Sequence, residues 1–179
     1  REKGIPPFSI MAVTFTNKAA GEMRSRIIDL IGPLGEQVFI KTFHSASVFI
    51  LRRYGSEIGI PSGFTIYDQR DQEMLIKEIL IEKNLDPKKV RPAMIVSKIS
   101  EIKDRAEILE GGDITALLPE YYTFNLADIY EQYQLRLKAA NALDFNDLLI
   151  NTVQLLRNSP ATLEKLQNRW RYFMIDEYQ

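Results

Sequence analysis

This sequence predicts an α/β fold that carries a large all-helical insertion, with helix predominating by residue count. Three observations lead there. Strand, helix, strand and helix follow one another over the first 55 residues, the order of a parallel sheet with packed helices. After about residue 64 the apolar residues recur at helical spacing in segment after segment. The last stretch, RYFMIDEYQ at 171–179, returns to strand character. A helical block between α/β pieces has the organisation of an insertion, and the last strand would rejoin the sheet begun near residue 8.

Each element has its own warrant. FSIMAVTF (8–15) is a short apolar run behind Pro6-Pro7, the pattern of a buried strand. TNKAAGEMRSRIIDLIG follows as a helix: Thr16 can cap it, Ala20, Met23, Ile27 and Ile31 share one face, and Gly32-Pro33 stops it. QVFIKTF (37–43) is a second strand, and HSASVFILRRYG a second helix ending at Gly55. DQRDQEMLIKEILIEKN places Leu75, Ile76, Ile79 and Leu80 inward. DPKKVRPAMIVSKISEIKD continues the helical pattern, and its basic residues are expected on a solvated face. EGGDITALLPEYYTFN (110–125) is a loop, with or without a short helix. LADIYEQYQLRLKAAN carries a stripe of Leu126, Ile129, Tyr130, Tyr133 and Leu137. DFNDLLINTVQLLRN carries Phe145, Leu148, Leu149, Thr152, Val153 and Leu156, with Asp144 as N-cap. PATLEKLQNRW is a last short helix.

Composition removes several classes of function. The 179 residues include no cysteine and one histidine, which excludes disulfides, thiol catalysis and Cys- or His-rich metal sites. No apolar run approaches the length of a membrane span, and a cytoplasmic setting is expected. The net charge is −1, so any nucleic-acid contact must be local. Residues 1–60 carry 8 Lys and Arg against 5 Asp and Glu, whereas residues 61–140 carry 11 against 14. The first third is the better candidate.

Three stretches carry chemistry. In MIDEYQ an apolar strand ends in two acids, which places Asp176 and Glu177 at the carboxyl edge of a parallel sheet, where open α/β sheets bind ligands. One carboxylate can hold Mg²⁺ and the next can deprotonate an attacking water. Strands also commonly end in polar residues with no such role. TFTNKAA (14–20) is a strand end running into a helix start, which suits a phosphate. Phe15 at that turn either stacks on a base or packs in the core, and Thr16 is a phosphate contact or a plain cap. TFHS (42–45) repeats the same grammar.

AVTFTNKAAGEMRSRI, KTFHS, LDFNDLL and FMIDEYQ, in that order, resemble motifs Ia, Ib/Ic, Id and the DExx box of the UvrD/Rep/PcrA group of superfamily 1 DNA helicases. The resemblance runs from Phe8 to Gln179. It implies a P-loop NTPase with two RecA-like domains that uses ATP and Mg²⁺ to move 3′→5′ on single-stranded DNA and open duplexes in repair or replication. Residues 1–42 and 168–179 would belong to RecA-like domain 1A, and 43–167 to helical subdomain 1B. Carried over position by position, Asp176 would coordinate Mg²⁺, Glu177 would activate water, and Gln179 would be the amide near the nucleotide. Phe15, Thr16 and Asn17 would contact single-stranded DNA, as would Thr42, Phe43 and His44. Asp144 and Phe145 match motif Id. The implied partners are single-stranded DNA, its junctions with duplex, and repair or replication proteins, with no membrane.

The sequence contains no Gly-Lys pair and therefore no Walker A loop. In the group that loop precedes motif Ia, while motif III and the second RecA-like domain follow the DExx box. The chain is therefore expected to be a fragment that holds no ATP or Mg²⁺ by itself. Two rivals share the residues: a helicase–nuclease subunit of the RecB/AddA kind, and a DNA-binding or interaction module without catalysis. A Mg²⁺ nuclease built on Asp176 and Glu177 lacks further acids at readable spacing.

Overall fold

The computed structural model describes residues 4–106, 120–121 and 124–176. Pro7–Ser9 form a 3-10 turn, so the first strand, β1 (Ile10–Thr14), is shorter than the apolar run and leaves Phe8 outside it. The Thr16 hydroxyl oxygen accepts a hydrogen bond from the Ala19 N–H at 3.1 Å and starts α1 (Asn17–Ile31). Gly32 ends that helix at φ 74°, a conformation that costs glycine little. Strand β2 (Phe39–Thr42) lies parallel to β1, and α2 (Phe43–Tyr54) leaves directly from its end. Ala20, Met23 and Ile27 of α1 cover Ala12 and Ile40 of the sheet and Val38 just before β2.

The chain then passes β3 (Thr65–Ile66), α3 (Gln69–Glu82), α4 (Pro92–Ala106), β4 (Glu120–Tyr121) and β5 (Phe124–Asn125). It continues through α5 (Leu126–Ala139), β6 (Ala142–Leu143), α6 (Phe145–Asn158) and α7 (Pro160–Arg169) to β7 (Tyr172–Ile175). Among the described residues the structure is thus mostly helical around small sheets. The main sheet is parallel with strand order β2-β1-β7, so the last strand does rejoin the first. Strands β3 and β6 form a separate parallel pair, and β4 and β5 an antiparallel one. The segment expected to be a loop with or without a short helix contains β4 and β5; 107–119 and 122–123 lie outside the described residues.

Two larger cores divide the helices. Ile76, Ile79 and Leu80 of α3, Ile95 and Ile99 of α4, and Ile129, Tyr133 and Leu137 of α5 bury one another. Ile50 and Leu51 of α2, Leu148 and Leu155 of α6, and Leu166 of α7 bury against Met11 and Val13 of β1, together with Trp170. The stripe expected on α6 is rotated. Leu148, Thr152 and Leu155 point inward, while Phe145 and Val153 are exposed. The reason lies at the helix start: Asp147 is buried too, and it turns the first helical turn toward α4.

Candidate functional site

Parallel pairing brings three strand ends to one edge. Thr14 is in register with Thr42, and Val13 with Ile175. Phe15 therefore leaves β1, Phe43 leaves β2 and Asp176 leaves β7 side by side. Helices α1 and α2 begin at the same edge, so their free N–H groups and the positive ends of their dipoles open onto it.

Phe15 is not core. It is 63% exposed, and its ring sits 5.1 Å from that of Phe43, tilted by 50°. Thr16 caps α1, and Asn17 beside it is exposed. Thr42 is buried and caps α2, accepting from the Ser45 N–H at 3.1 Å while its hydroxyl donates to Ser45 Oγ at 2.9 Å. His44 lies edge-on to Phe145, 5.5 Å between ring centroids. Phe15, Phe43, His44 and Phe145 thus form two ring pairs joined through neighbours in sequence. Lys41, Ser45, Arg52 and Arg53 line a groove that runs along α2 from its first turn to the two arginines of its last.

Partial burial lowers the His44 pKa below its ordinary 6.5, so the imidazole is neutral at pH 7. Phe145→Ala should open His44 to water and move that pKa up toward 6.5. Proton NMR of the single histidine reads this directly; an unaltered titration would mean that the Phe145 ring does not shield it.

Asp176 sits at the same edge. Its N–H donates to Val13 O at 3.1 Å, continuing the β1–β7 ladder, and Thr14 Oγ1 donates to its Oδ2 at 3.3 Å. Thr14 is a site residue that the motifs do not single out; its signal is a hydroxyl at the end of an otherwise apolar strand. No group of three His, Cys, Asp or Glu residues able to hold a metal occurs among the described residues. A single carboxylate fits Mg²⁺ that arrives on a phosphate, since that ion keeps its waters and takes few protein ligands. Glu177 and Gln179 lie outside the described residues.

Across residues 1–179 the sequence matches the UvrD/REP helicase N-terminal domain. The chain belongs to this family. It is 41% identical over 178 residues to the ATP-dependent DNA helicase PcrA of Staphylococcus aureus, and 40% identical to that of Staphylococcus epidermidis. Each match takes in 99% of this chain and 24% of the relative, so the chain spans about a quarter of the length of these helicases. No described helix is long and apolar enough to cross a membrane.

In this UvrD/REP N-terminal domain the start of α6 is held by buried charge. Asp144 caps α6 by accepting from the Asp147 N–H at 2.9 Å, and Asp147 accepts back from the Asp144 N–H at 3.2 Å. Lys103 of α4 donates to both carboxylates at 2.6 Å and has no exposure at all. The Tyr133 hydroxyl donates to Asp144 at 3.0 Å. Burial pushes the Asp147 carboxyl above its ordinary range, against the pull of the Lys103 charge. The expectation of a solvated basic face on α4 therefore fails at Lys103, although Lys98 and Arg105 do lie outside, paired with Glu101. The signal was present in the spacing. Lys103 follows Val96 by seven residues and Ile99 by four, which puts a cation on the apolar stripe.

Proposed function

We propose that this chain forms part of the first motor domain of an ATP-dependent 3′→5′ DNA helicase, with a RecA-like α/β core interrupted by a helical subdomain. The observation that carries the reading is the aromatic strip at the carboxyl edge of the parallel sheet, with Phe15 and Phe145 exposed and Phe43 and His44 half-buried, beside two helix N-termini and the Asp176 carboxylate. Exposed rings offer sequence-tolerant stacking to bases, and helix N-termini suit the phosphates between them. Phe15, Phe43 and His44 contact the bases in this reading, with Phe145 as a further ring. Thr16, Asn17 and Thr42 lie along the backbone path.

Asp176 would hold a Mg²⁺ bound to ATP, which supplies charge neutralisation at the phosphates. Glu177 would orient and deprotonate the attacking water, and Gln179 would sit near the nucleotide. Single-stranded DNA and its junctions with duplex are the substrates this implies, in repair or replication.

For the domains, we take the inserted block to run between β3 and β6, narrower than 43–167. Helices α3, α4 and α5 share one core, while α2, α6 and α7 pack with β1. The short β3–β6 pair then closes the neck of the insertion.

Fluorescence anisotropy with a labelled oligothymidylate strand tests the reading. Binding should weaken as salt rises, because phosphate contacts release counterions. Phe15→Ala should weaken it by about tenfold, the scale of one lost base stack. Salt-insensitive binding, or equal affinity of parent and variant, would remove the aromatic strip from the DNA path.

A further inference from the structure

The first turn of α6 is gripped mainly from α4, with the Tyr133 hydroxyl of α5 added on Asp144. Lys103 holds Asp144 and Asp147. The Ser100 hydroxyl donates to Asn146 Oδ1 at 2.9 Å, and Asn146 Nδ2 donates to Asp104 at 2.5 Å. Three of the four residues from 144 to 147 are thereby tied to α4. The remaining one, Phe145, is 46% exposed and faces His44. Helix α4 belongs to the core of the inserted block, whereas α6 and α2 belong to the core under the sheet.

A buried cation between two carboxylates is a poor device for adhesion alone, since apolar residues of similar volume commonly hold two helices as well or better. Charge-assisted hydrogen bonds do fix direction. Successive helical residues differ by about 100° around the axis, so a small rotation of this turn would carry Phe145 off the strip.

We propose that Lys103 is a positioning residue for single-stranded DNA: by clamping the first turn of α6 to α4, it sets the Phe145 ring against His44 and makes the aromatic strip depend on the helical block. This rests on the DNA-binding reading above. Movement of the block then changes the strip, and occupancy of the strip favours one position of the block.

The test uses the intact chain with Phe145→Ala, the neutral triple variant Lys103→Met/Asp144→Asn/Asp147→Asn, and both sets combined. Asn retains the capping ability of Asp144. The triple variant makes the chain one unit more positive, so electrostatics alone would strengthen DNA binding. We expect it instead to weaken oligothymidylate binding by about tenfold, as Phe145→Ala should. The combined variant should bind no worse than either. Triple-variant binding within twofold of the parent, or losses that multiply in the combination, would overturn the proposal.

The NMR resonances of His44, the single histidine, give a readout independent of DNA. They should shift alike in Phe145→Ala and in the triple variant, because both remove the Phe145 ring current. A folded triple variant with parent-like His44 resonances also overturns the proposal. If the parent binds no oligothymidylate, the DNA reading fails, and the positioning role for DNA falls with it. His44 then still reports whether Lys103 places Phe145. If the triple variant does not fold, Asp147→Asn alone keeps the Lys103–Asp144 bond and should shift His44 the same way by less; no shift overturns the proposal.

Discussion

Lys103→Met alone should cost about 3–5 kcal/mol of folding stability, the usual penalty for removing one partner of a buried ion pair. The loss is not one of packing, since the methionine stem nearly replaces the lysine stem. It comes from leaving Asp144 and Asp147 buried without their cation. Tyr133 cannot compensate: burial, reinforced by Asp144, pushes its phenol far above the ordinary pKa, so it stays a neutral donor with a single hydrogen. The deficit should depend on pH. A carboxyl whose folded pKa lies above its unfolded value takes up a proton more readily in the native state. Stability then falls as pH rises from about 3.9, the ordinary Asp value, to the raised value, and is level beyond it. Asp147 is already raised in the parent. Without Lys103 its pKa rises further, so the gap between parent and variant should be smaller at acid than at neutral pH. Urea denaturation across a pH series measures this. A gap that is the same throughout the series would place the loss in packing rather than in charge. Adding Asp144→Asn and Asp147→Asn should recover most of the stability, because no buried charge then remains uncompensated.

The parallel order of the elements was legible in the sequence because its causes are local. Thr16 caps the helix that follows β1, and Gly32 ends α1, as the residue types demand; Thr42 caps α2 in the same way, although QVFIKTF reads as strand through Phe43. The stripes of α3 and α5 also follow directly from periodicity: Ile76, Ile79 and Leu80, and Leu126, Ile129, Tyr133 and Leu137, are buried. What periodicity could not show is how two helices settle their polar residues against each other. The core face of α6 is displaced because Asp147 turns inward to Lys103, a residue 44 positions away. The same pairing exposes Phe145, which a stripe argument places in the core. Strands β3 and β6 were invisible for a related reason. Two residues each carry no period, and their pairing, with Thr65 N–H donating to Asn141 O at 2.9 Å, depends on the helices between them returning the chain. At the site, Phe15 and Asp176 could be placed at the sheet edge from sequence, but the exposure of the first and the Thr14 hydroxyl beside the second required the fold.

Trp170→Ala should cost a further large amount, about 3–5 kcal/mol, the usual range for truncating a buried Trp. Trp170 is 2% exposed, and its ring lies 4.5 Å from Phe39 and 6.1 Å from Phe49. The Arg169 guanidinium covers it at 5.1 Å. The indole Nε1 is buried and has no hydrogen-bond partner among the described residues, so no such bond there contributes to retention. Trp170→Phe should therefore lose much less than Trp170→Ala, since it gives up volume but no hydrogen bond. The consequence reaches the site because of where Trp170 sits. The next residue, Arg171, donates its N–H to Ser9 O at 2.9 Å, and β7 begins immediately afterwards. Tyr172, Phe173, Met174 and Ile175 are all 45–59% exposed, so within this chain β7 is held by its ladder to β1 and by the anchor at its start rather than by its own side chains. Losing the anchor should loosen β7 before the rest of the sheet and release Asp176 from Thr14. Circular dichroism during urea denaturation gives the stability, since the variant has no tryptophan to report by fluorescence. Amide exchange should accelerate at Tyr172–Ile175 more than at Ile10–Thr14 in Trp170→Ala, and little in Trp170→Phe. A uniform acceleration across both strands would mean that Trp170 supports the core as a whole and does not set the position of the Asp176 strand.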